Sequence, residues 1–490
     1  MPETSRRSRS APPLRVLKFG GTSVGNISSI SQVVEIVRAA SRQSSLVVVV
    51  SAMAGVTNRL LQAAALSLGA DRGPVAAIFA ELREKHELAA AALIHSHSIR
   101  SGVVRTLQQL LQEGDRLCHG ALLLGEVTPR ARDSISSLGE RMSAPLLAAA
   151  LAERGTPSES VEATELVVTD SNHGAADPCM ELTRRRCQAR LFPLLQRGIV
   201  PVVTGFIGAT ADGALTTLGR GGSDYSATIV GAALDAGEVV IWTDVDGLLT
   251  ADPRLVPAAC TIPEISYREA AELAYFGAKV LHPKTLRAIT QARIPLWIRN
   301  TFAPQRPGTK ITPAGPVSVA GVKALTAIGD VSLISVGGPG IVGVSDVLAR
   351  TFAATAAVRA DVLLISYSSS QNDISLVLPS AIAPRAVEAL RREFAQDLAH
   401  EKVEHITVEP DVAIVTVVGQ NMRGISGIVG RAFGALGRDN VNIVAIAQGS
   451  SECNLSFVVA QQDVQPALLA VHREFRLDAG RARLLPVTGS

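Results

Sequence analysis

Runs of β-branched residues that end in glycine and lead into helical patterns constrain the fold of this 490-residue chain more than any other feature. LRVLKF is followed by GGTSVGN, and apolar residues then recur at helical spacing between Ile27 and Val37. SLVVVVS, IVPVVTGF and EVVIWTDVDG also lead into turns rich in glycine. Near-continuous Val and Ile strands that alternate with helices are typical of a parallel sheet buried on both faces. We therefore expect an α/β fold in which helices sandwich a mostly parallel sheet.

The segments between and after these strands indicate where the domain ends. Residues 60–154 are rich in Ala and Leu with interspersed charges, which predicts a set of helices added to the sheet. The stretch TFAPQRPGTKITPAGP, residues 301–316, contains four prolines and two glycines that interrupt any regular element. We place the domain boundary there, so that the α/β domain covers residues 14–312.

An internal repeat follows this boundary. VSLISVGGPGIVGVSDVLARTF, from Val331, aligns with VAIVTVVGQNMRGISGIVGRAF, from Val412, at an offset of 81 residues without gaps. Each copy has the pattern strand, glycine loop, helix, strand, strand, helix, which is the βαββα order of ferredoxin-like units. The sequence thus predicts two modules, residues 313–400 and 401–490, whose open sheet edges favour pairing and can enclose a small ligand.

Charge and cysteine content restrict the classes of function. The chain has 47 basic and 44 acidic residues, and an excess of arginine in the first 15 residues accounts for its formal charge of +3. The balanced remainder argues against nucleic acid and membrane surfaces as partners. The five cysteines are scattered, no apolar run has the length of a membrane span, and MPETSRRSRSAPP lacks the apolar core of a secretory signal. We expect a cytoplasmic protein whose residues 1–13 form a disordered tail.

The first candidate site lies at the end of the first strand, where Lys18 precedes Gly20 and Gly21. The order differs from that of a Walker A loop, but glycines at a strand end let backbone N–H groups approach an anion, and the following helix directs its positive end there. A tight strand-to-helix turn is the alternative. Only seven of the 47 basic residues are lysines, so Lys18 is an unusual surface charge for this chain.

TTLGRGGSDYSAT forms the second candidate site, in which glycines surround Arg220 and are followed by Ser223 and Asp224. The planar guanidinium of an arginine in a glycine-rich loop suits a carboxylate or a phosphate. Alternatively, Asp224 is the N-cap of a helix that begins at Tyr225. We favour a binding site because the run is long and lies at the same edge of the predicted sheet as Lys18.

Other polar residues give weaker signals. WTDVDGLLTADPR places Asp244 and Arg254 after a buried strand, although its Asp-Gly and Asp-Pro pairs also fit plain turns. Glu140 and Lys279, taken singly, are typical of solvated surface charges. The H-x-H pair that begins at His95 is a poor metal signal, so we expect no metal site built from protein side chains.

In combination, these motifs resemble those of aspartate kinases, which are members of the amino acid kinase family. The resemblance runs from about Leu14 to Gly308 and rests on KFGGTSVG, SAMAGVTN, GERMSA, TTLGRGGSDYSAT, WTDVDGLLTADPR, EAAELAYFGAKVLHPKTL and IPLWIRNTFAPQRPGT in this order. The repeat resembles the paired ACT regulatory modules of the same enzymes, most closely those of the kinase half of bifunctional aspartokinase–homoserine dehydrogenases. Because the chain stops where the dehydrogenase would begin, we expect a stand-alone kinase.

The resemblance implies a reaction. ATP and L-aspartate would give ADP and 4-phospho-L-aspartate, the committed step toward lysine, threonine and methionine, with Mg²⁺ bridging the phosphates. The nucleophile is the side-chain carboxylate of the substrate, whose ordinary pKa of about 3.9 leaves it ionised at neutral pH. No general base is therefore needed, and the protein has to supply charge neutralisation and in-line placement.

The resemblance also implies a role for each motif residue. Lys18, with the N–H groups of Gly20 and Gly21, would stabilise the charge on the transferring phosphoryl group, and Asp224 would orient Lys18 or the phosphate-bound metal. The ligands would be bound by a larger set: Arg220 for the α-carboxylate of aspartate, Glu140 for its ammonium, Ser51, Thr57 and Ser223 for hydrogen bonds, and Lys18, Thr243, Asp244, Arg254 and Lys279 around the nucleotide.

The chain departs from the family pattern at two places. Leu249 stands where the family usually has a tyrosine near the nucleotide. In the modules, the repeat aligns Tyr367 with Gln448, whereas bifunctional members generally have glutamine at both positions. We expect the second module to hold the feedback amino acid through Gln448, with Asn421 and Asn442, and threonine rather than lysine to be the inhibitor. The resemblance further implies a homodimer or a larger homo-oligomer formed through the ACT modules.

Two other functions stay open at this point. Another acid or carbamate kinase would share the fold, but TTLGRGGSD together with paired regulatory modules disfavours it. A catalytically silent amino-acid sensor would use the α/β domain only as a scaffold, and the retention of Lys18, Arg220 and Asp224 argues against it.

Overall fold

The computed structural model describes residues 13–69, 71–277, 280–318, 321–338, 344–368, 373–448, 452–478 and 484–485. Residues 1–12 of the predicted tail lie outside them. Contacts divide the chain into two compact units, one formed by residues 1–248, 263–267 and 280–314 and the other by residues 249–262, 268–279 and 315–490. No helix in the described part of the chain has the length and apolar content that crossing a membrane requires.

Strands and helices alternate through much of the first unit, as the sequence pattern predicts. The strands are β1 Leu14–Phe19, β2 Ser45–Val50, β3 Ser158–Val161, β4 Val168–Thr169, β5 Val200–Thr204, β6 Ile207–Thr210, β7 Leu215–Thr217, β8 Glu238–Thr243, β9 Glu264–Ser266, β10 Leu296–Asn300 and β11 Thr309–Thr312. The α-helices that precede β11 in the chain are α1 Ile27–Ser41, α2 Val56–Leu66, α3 Gly73–Leu93, α4 His97–Leu124, α5 Pro129–Glu153, α6 Met180–Gln196, α7 Gly222–Ala233, α8 Tyr267–Tyr275 and α9 Pro283–Ala292. Nearly all of α8 belongs to the second unit.

Among the described residues, eight strands form the main sheet of the first unit in the order β3-β5-β2-β1-β8-β10-β11-β9. Neighbouring strands run parallel except for the antiparallel pair of β10 and β11. The carboxyl ends of β1, β2, β5 and β8 therefore lie at one edge, where the loops that follow them can meet. The predicted mostly parallel sheet is confirmed.

Helices cover both faces of this sheet because its strands present apolar side chains on both sides. Leu17 and Phe19 of β1 pack into a large core with α1 to α5. On the opposite face, a Cβ at Gly231 of α7 would lie 2.6 Å from Cγ2 of Val239 on β8, so the missing side chain lets the helix approach the sheet. Each fully buried Val, Leu, Ile or Phe contributes roughly 1.5–3 kcal/mol relative to an exposed one, so burial on both faces explains the runs of Val and Ile in β2, β5 and β8.

The second unit contains both copies of the predicted repeat. Its strands are β12 Val317–Ser318, β13 Ala324–Gly337, β14 Leu364–Ser368, β15 Asp373–Pro379, β16 His405–Val418, β17 Ala445–Ala447, β18 Asn454–Ala460 and β19 Leu484–Leu485, and its further helices are α10 Val344–Ala357, α11 Ala383–Glu393, α12 Ala395–Ala399, α13 Ile428–Arg438 and α14 Val464–Glu474. The first copy runs β13, α10, β14, β15, α11, and the second runs β16, α13, β17, β18, α14. The predicted βαββα order is confirmed in both.

One antiparallel sheet joins the two copies, with the order β14-β15-β13-β16-β18-β17 among the described strands. β13 pairs with β16, and Val331 lies opposite Val412, its equivalent in the repeat. Because equivalent residues face each other across an antiparallel pair, the two copies are related by a local two-fold axis. Cα atoms of β14 and β17 come within 8 Å of each other, so the sheet curls until its outer strands are close.

The repeat extends to side-chain contacts between helices. In the first copy, Arg350 of α10 donates to the side chain and the carbonyl oxygen of Glu393 and lies over the ring of Phe394 at 4.5 Å. The residues 81 positions later make the same contacts, with a guanidinium-to-ring distance of 4.4 Å: Arg431, Glu474 and Phe475. The same arginine contact therefore fastens the two helices of each copy to one another.

Candidate active site

An ion pair between a buried lysine and a half-buried aspartate joins two elements that are far apart in the sequence. Lys18 of β1 is only 7% exposed, and its Nζ lies 2.5 Å from Oδ1 of Asp224. Asp224 lies in the first turn of α7, at the positive end of the helix dipole. The ion pair thus holds an ammonium group in a fixed position near the carboxyl edge of the main sheet.

Glycines shape the loop between β7 and α7 that carries Arg220. Gly219 and Gly221 have φ values of 79° and 71°, in the left-handed region that favours glycine. A Cβ at Gly221 would lie 2.6 Å from Cβ of His282, so the loop passes closely over the start of α9. Gly221 is the N-cap residue of α7, and the alternative role of Asp224 as an N-cap is therefore wrong.

Glu140 brings a carboxyl group to the same region from α5. Burial raises the pKa of Glu140 to about 7, although a backbone hydrogen bond from Ala52, the charge of Lys18 and a hydrogen bond from Ser223 oppose this effect. Gly139 permits the close approach of α5, because a Cβ there would lie 2.6 Å from Cβ of Ala52. The buried carboxyl group therefore titrates near neutral pH.

These groups line a cavity of about 400 Å³, a volume within the usual range of small-molecule sites. Residues singled out from the sequence come to it from four separate segments: Lys18, Gly21, Ser51, Thr57, Glu140, Arg220, Ser223 and Asp224. The structure therefore brings together the candidates for phosphoryl transfer and for amino-acid binding.

The charges in the cavity suit a zwitterionic ligand and a second anion. Arg220 offers a guanidinium for a carboxylate, and Glu140 offers a carboxylate for an ammonium group. Lys18, held by Asp224, supplies a further positive charge in the same cavity. An arrangement of this kind can bind an α-amino acid and stabilise negative charge that develops beside it.

Several residues that line the cavity were not predicted individually, although most of them belong to the motif SAMAGVTN. They come from the loops after β2 and β5 and from the start of α2: Ala52, Met53, Ala54, Gly55, Asn58 and Phe206. Phe206 has a φ of 70°, a conformation that costs a bulky residue on the order of 1–3 kcal/mol, and its N–H donates to Oγ of Ser226. Its place two residues after the strand run IVPVVT was the available signal, because that run ends at the same sheet edge as LRVLKF.

Gly20 makes a different contact from the one predicted. Its N–H donates to the carbonyl oxygen of Trp242 at 3.1 Å, and is therefore directed at β8 rather than at an anion. The predicted use of this N–H for a phosphate is corrected accordingly. Gly20 instead fixes the end of β1, and a Cβ there would lie 3.5 Å from the Lys18 ammonium.

Among the described residues, the predicted nucleotide residues Thr243, Asp244 and Arg254 do not line the cavity. Thr243 and Asp244 are at the end of β8, which pairs with β1, and the Thr243 hydroxyl donates to Asp244 at 3.1 Å. Arg254 belongs to the second unit, is largely exposed and pairs with a carboxylate two residues away. Lys279 lies outside the described residues.

The predicted regulatory residues are exposed on the second copy of the repeat. Asn421 follows β16 with a φ of 61°, Asn442 lies beyond α13, and Gln448 directly follows β17. Tyr367, the repeat equivalent of Gln448, lies on β14 and is 41% exposed. All four positions are accessible to a ligand.

Comparison with known families assigns the fold to one class of protein. Residues 13–300 match the amino acid kinase family, and residues 334–394 and 415–475 match the ACT domain. The first match alone covers more than half of the chain. The chain therefore belongs to the amino acid kinase family and carries two ACT domains.

Its relatives within that family are aspartokinases. Aspartokinase III of E. coli, solved in complex with aspartate and ADP, is 31% identical, with a TM-score of 0.77 over 94% of this chain and 99% of that one. Aspartokinase 1 of Arabidopsis thaliana, a chloroplastic protein, is 32% identical over 466 residues, which are 94% of this chain and 80% of the relative. The bifunctional aspartokinase/homoserine dehydrogenase of Haemophilus influenzae is 34% identical over 474 residues, 94% of this chain and 56% of the relative. The chain thus spans about half the length of the bifunctional relatives that it matches.

Proposed function

We propose that the protein is an aspartate kinase, which transfers the γ-phosphoryl group of ATP to the side-chain carboxylate of L-aspartate and forms 4-phospho-L-aspartate. The observation that carries the proposal is a single cavity that combines Lys18, Arg220 and Glu140. The E. coli relative was solved with aspartate and ADP, which supports the same pair of ligands here.

Arg220 pairs with the α-carboxylate of aspartate and Glu140 with its ammonium group, so the side-chain carboxylate is directed toward Lys18. Hydrogen bonds to the substrate come from hydroxyl groups that line the cavity: Ser51, Thr57 and Ser223. The side-chain carboxylate is ionised at neutral pH and attacks without a general base. Positioning and charge therefore account for the catalysis.

Lys18 neutralises charge on the phosphoryl group as it passes from ATP to the carboxylate of aspartate and leaves ADP behind, and Asp224 holds Lys18 in place. Gly21 lets the phosphoryl group approach the backbone. Mg²⁺ enters bound to the phosphates, as part of the nucleotide substrate. Thr243 and Asp244, at the end of the neighbouring strand, contact the nucleotide, whereas Arg254 and Lys279 stay predictions from the family resemblance.

The two ACT domains bind a feedback amino acid, threonine rather than lysine, through Gln448, Asn421 and Asn442. E. coli aspartokinase III was solved with lysine and aspartate, so lysine is the competing effector. Inhibition curves for each amino acid at fixed aspartate and ATP distinguish the two.

We further propose that the reaction is the first step toward lysine, threonine and methionine, and that the enzyme is cytoplasmic and forms homodimers or larger oligomers through its ACT modules. Their proposed bounds are residues 313–400 and 401–490, after a kinase domain of residues 14–312.

ADP release measured with aspartate, glutamate and N-acetylglutamate tests the proposed activity. We expect release that saturates with aspartate and a signal near background with the other two acids. Release with glutamate or N-acetylglutamate alone would assign the protein to another kinase of the same fold. A lack of release with all three, together with binding of an amino acid, would indicate a silent sensor.

A further inference from the structure

Outside the cavity, one buried carboxylate accepts an unusual number of hydrogen bonds. Asp133 lies on α5, two turns before Glu140, and is 3% exposed. Its Oδ1 accepts from the hydroxyl of Thr217 at 2.6 Å. Its Oδ2 accepts from the N–H groups of Thr217 at 3.1 Å and Gly174 at 3.0 Å, and lies 2.9 Å from Nδ1 of His173.

These contacts leave Asp133 without capacity for a ligand. A carboxylate has about four acceptor positions, and four donor atoms already surround this one. Asp133 is also absent from the residues that line the cavity. Any influence of Asp133 on a reaction in the cavity must therefore act through the groups it holds.

The groups that Asp133 holds flank the loop that carries Arg220. Thr217 is the last residue of β7, three positions before Arg220. The segment with His173 and Gly174 supports the same loop, because a Cβ at Gly219 would lie only 2.9 Å from the carbonyl oxygen of Gly174. One carboxylate thus fixes the backbone just before Arg220 and the segment against which that backbone rests.

We propose that Asp133 is a positioning residue for aspartate binding, which sets the location of Arg220 relative to Glu140. Asp133 and Glu140 both lie on α5. Because Asp133 fixes the loop of Arg220 to this rigid helix, the helix sets the distance between the guanidinium of Arg220, which binds the α-carboxylate, and the carboxylate of Glu140, which binds the ammonium group. This inference rests on the proposed function, in which Arg220 and Glu140 bind the two charged groups of the amino acid.

Thr217→Val tests the proposal because it removes the hydroxyl donor and keeps the size of the side chain and the N–H group. We expect the KM for aspartate to rise roughly tenfold, the effect of losing one hydrogen bond to a charged group, while kcat and the KM for ATP change less than about twofold. Thr217→Ser restores the hydroxyl and should restore the KM. Asp133→Asn should act in the same direction as Thr217→Val.

Thr216→Val is the matched control. The Thr216 hydroxyl is buried on the same strand and lies 2.6 Å from the hydroxyl of Thr169, away from Asp133. We expect the KM for aspartate to stay near the wild-type value in this variant. A rise equal to that in Thr217→Val would show that loss of any buried hydroxyl on β7 has the effect, and would overturn the proposal.

Combination with Arg220→Ala tests whether the effect passes through Arg220. We expect Thr217→Val to add no further increase in the KM for aspartate once the guanidinium is absent. Additive increases in the KM for aspartate in the double variant, or an equal rise in the KM for ATP in Thr217→Val, would overturn the inference about Asp133. The proposed function would still stand in that case, because the wild-type protein would turn over aspartate. If the wild-type protein turned over no aspartate, the proposed function would fail and this inference with it.

Discussion

Burial gives two side chains of the cavity their chemical character. Lys18 is buried and held by Asp224, so in the proposed function its charge is in place before the reaction and needs no rearrangement as the phosphoryl group moves. Glu140 is buried with a pKa raised to about 7, and ionises only near neutral pH. At the scale of residues, the fold therefore produces both a fixed cation and a titratable anion.

Lys18→Ala should lower kcat by roughly a thousandfold or more, with a smaller effect on the KM for aspartate, because in the proposed function the ammonium acts mainly in the transition state. Steady-state kinetics with both substrates measure the two effects. Lys402→Ala, which removes an exposed lysine of the second unit, is the control and should be neutral. An unchanged kcat in Lys18→Ala would remove Lys18 from the mechanism.

The pH profile should report Glu140. In the proposed function the ionised form binds the ammonium group of aspartate, so kcat/KM for aspartate should fall as the pH drops through about 7, by up to tenfold per pH unit. Glu140→Gln should raise the KM and abolish this acidic limb. The role of Glu140 would be rejected by a variant that retained the same acidic limb.

Glu140 should also lower the stability of the free protein at high pH. The pKa of Glu140 is about 4.3 in the unfolded chain and about 7 in the folded protein. Between these two pH values the unfolded chain ionises while the folded protein stays protonated, so folding becomes less favourable as the pH rises from about 4.3 to about 7, and the full loss of stability is present above about pH 7. Glu140→Gln should therefore raise the melting temperature at pH 8 and change it little at pH 4. Thermal unfolding at both pH values checks the sign; an equal shift at both would show that ionisation is not the cause.

At the scale of elements, packing decides what a glycine does within a single helix. α4 contains Gly114 and Gly120. A Cβ at Gly114 would lie 2.6 Å from Cδ1 of Leu138 and from Cε1 of Phe79, whereas among the described residues a Cβ at Gly120 would meet no atom within 4 Å. The first glycine permits close packing of helices, and the second only adds conformational entropy to the unfolded chain.

Alanine substitutions at these two glycines should have opposite effects. Gly120→Ala should raise the free energy of unfolding by about 0.5–1 kcal/mol, the difference in helix propensity. Gly114→Ala should lower it by about 1–2 kcal/mol, because overpacking outweighs the same gain. Urea denaturation of the two variants provides the comparison, and shifts of the same sign would contradict it.

At the scale of the whole molecule, distant segments are joined by groups that only the folded chain brings together. In the second unit, Nζ of Lys323 lies 2.8 Å from Oε2 of Glu269, and both side chains are almost fully buried. Glu269 lies on α8, which precedes β10 and β11 in the chain, and Lys323 lies just before β13. The pair therefore fastens α8 to the start of the repeat within the second unit.

Breaking this pair on one side should destabilise the second unit strongly. Lys323→Met leaves a carboxylate buried without its cation, and should cost about 3–5 kcal/mol of unfolding free energy. The double variant Lys323→Met with Glu269→Leu should recover most of the loss, since both charges are then absent. Denaturant midpoints of the single and double variants measure the effect; a fully stable single variant would contradict it.

Local patterns were sufficient to predict much of the architecture. The Val and Ile runs predicted the parallel sheet because strands buried on both faces need apolar residues at every position. The 81-residue repeat predicted two βαββα modules because each copy carries the same order of periodicities. Asp133 gave no such signal, since a lone aspartate in a helical segment is typical of a solvated surface, and its four donors come from three other positions in the chain.

The sequence by itself determined which elements form and which loops hold glycine beside charged residues, because periodicity and turn chemistry act over a few neighbouring residues. Tertiary structure alone decided that Lys18, Glu140 and Arg220 share one cavity. It also directed the N–H of Gly20 to Trp242 and shifted the pKa of Glu140. Those properties depend on distances and burial across segments far apart in the chain, which only the packing of the sheet and its helices sets.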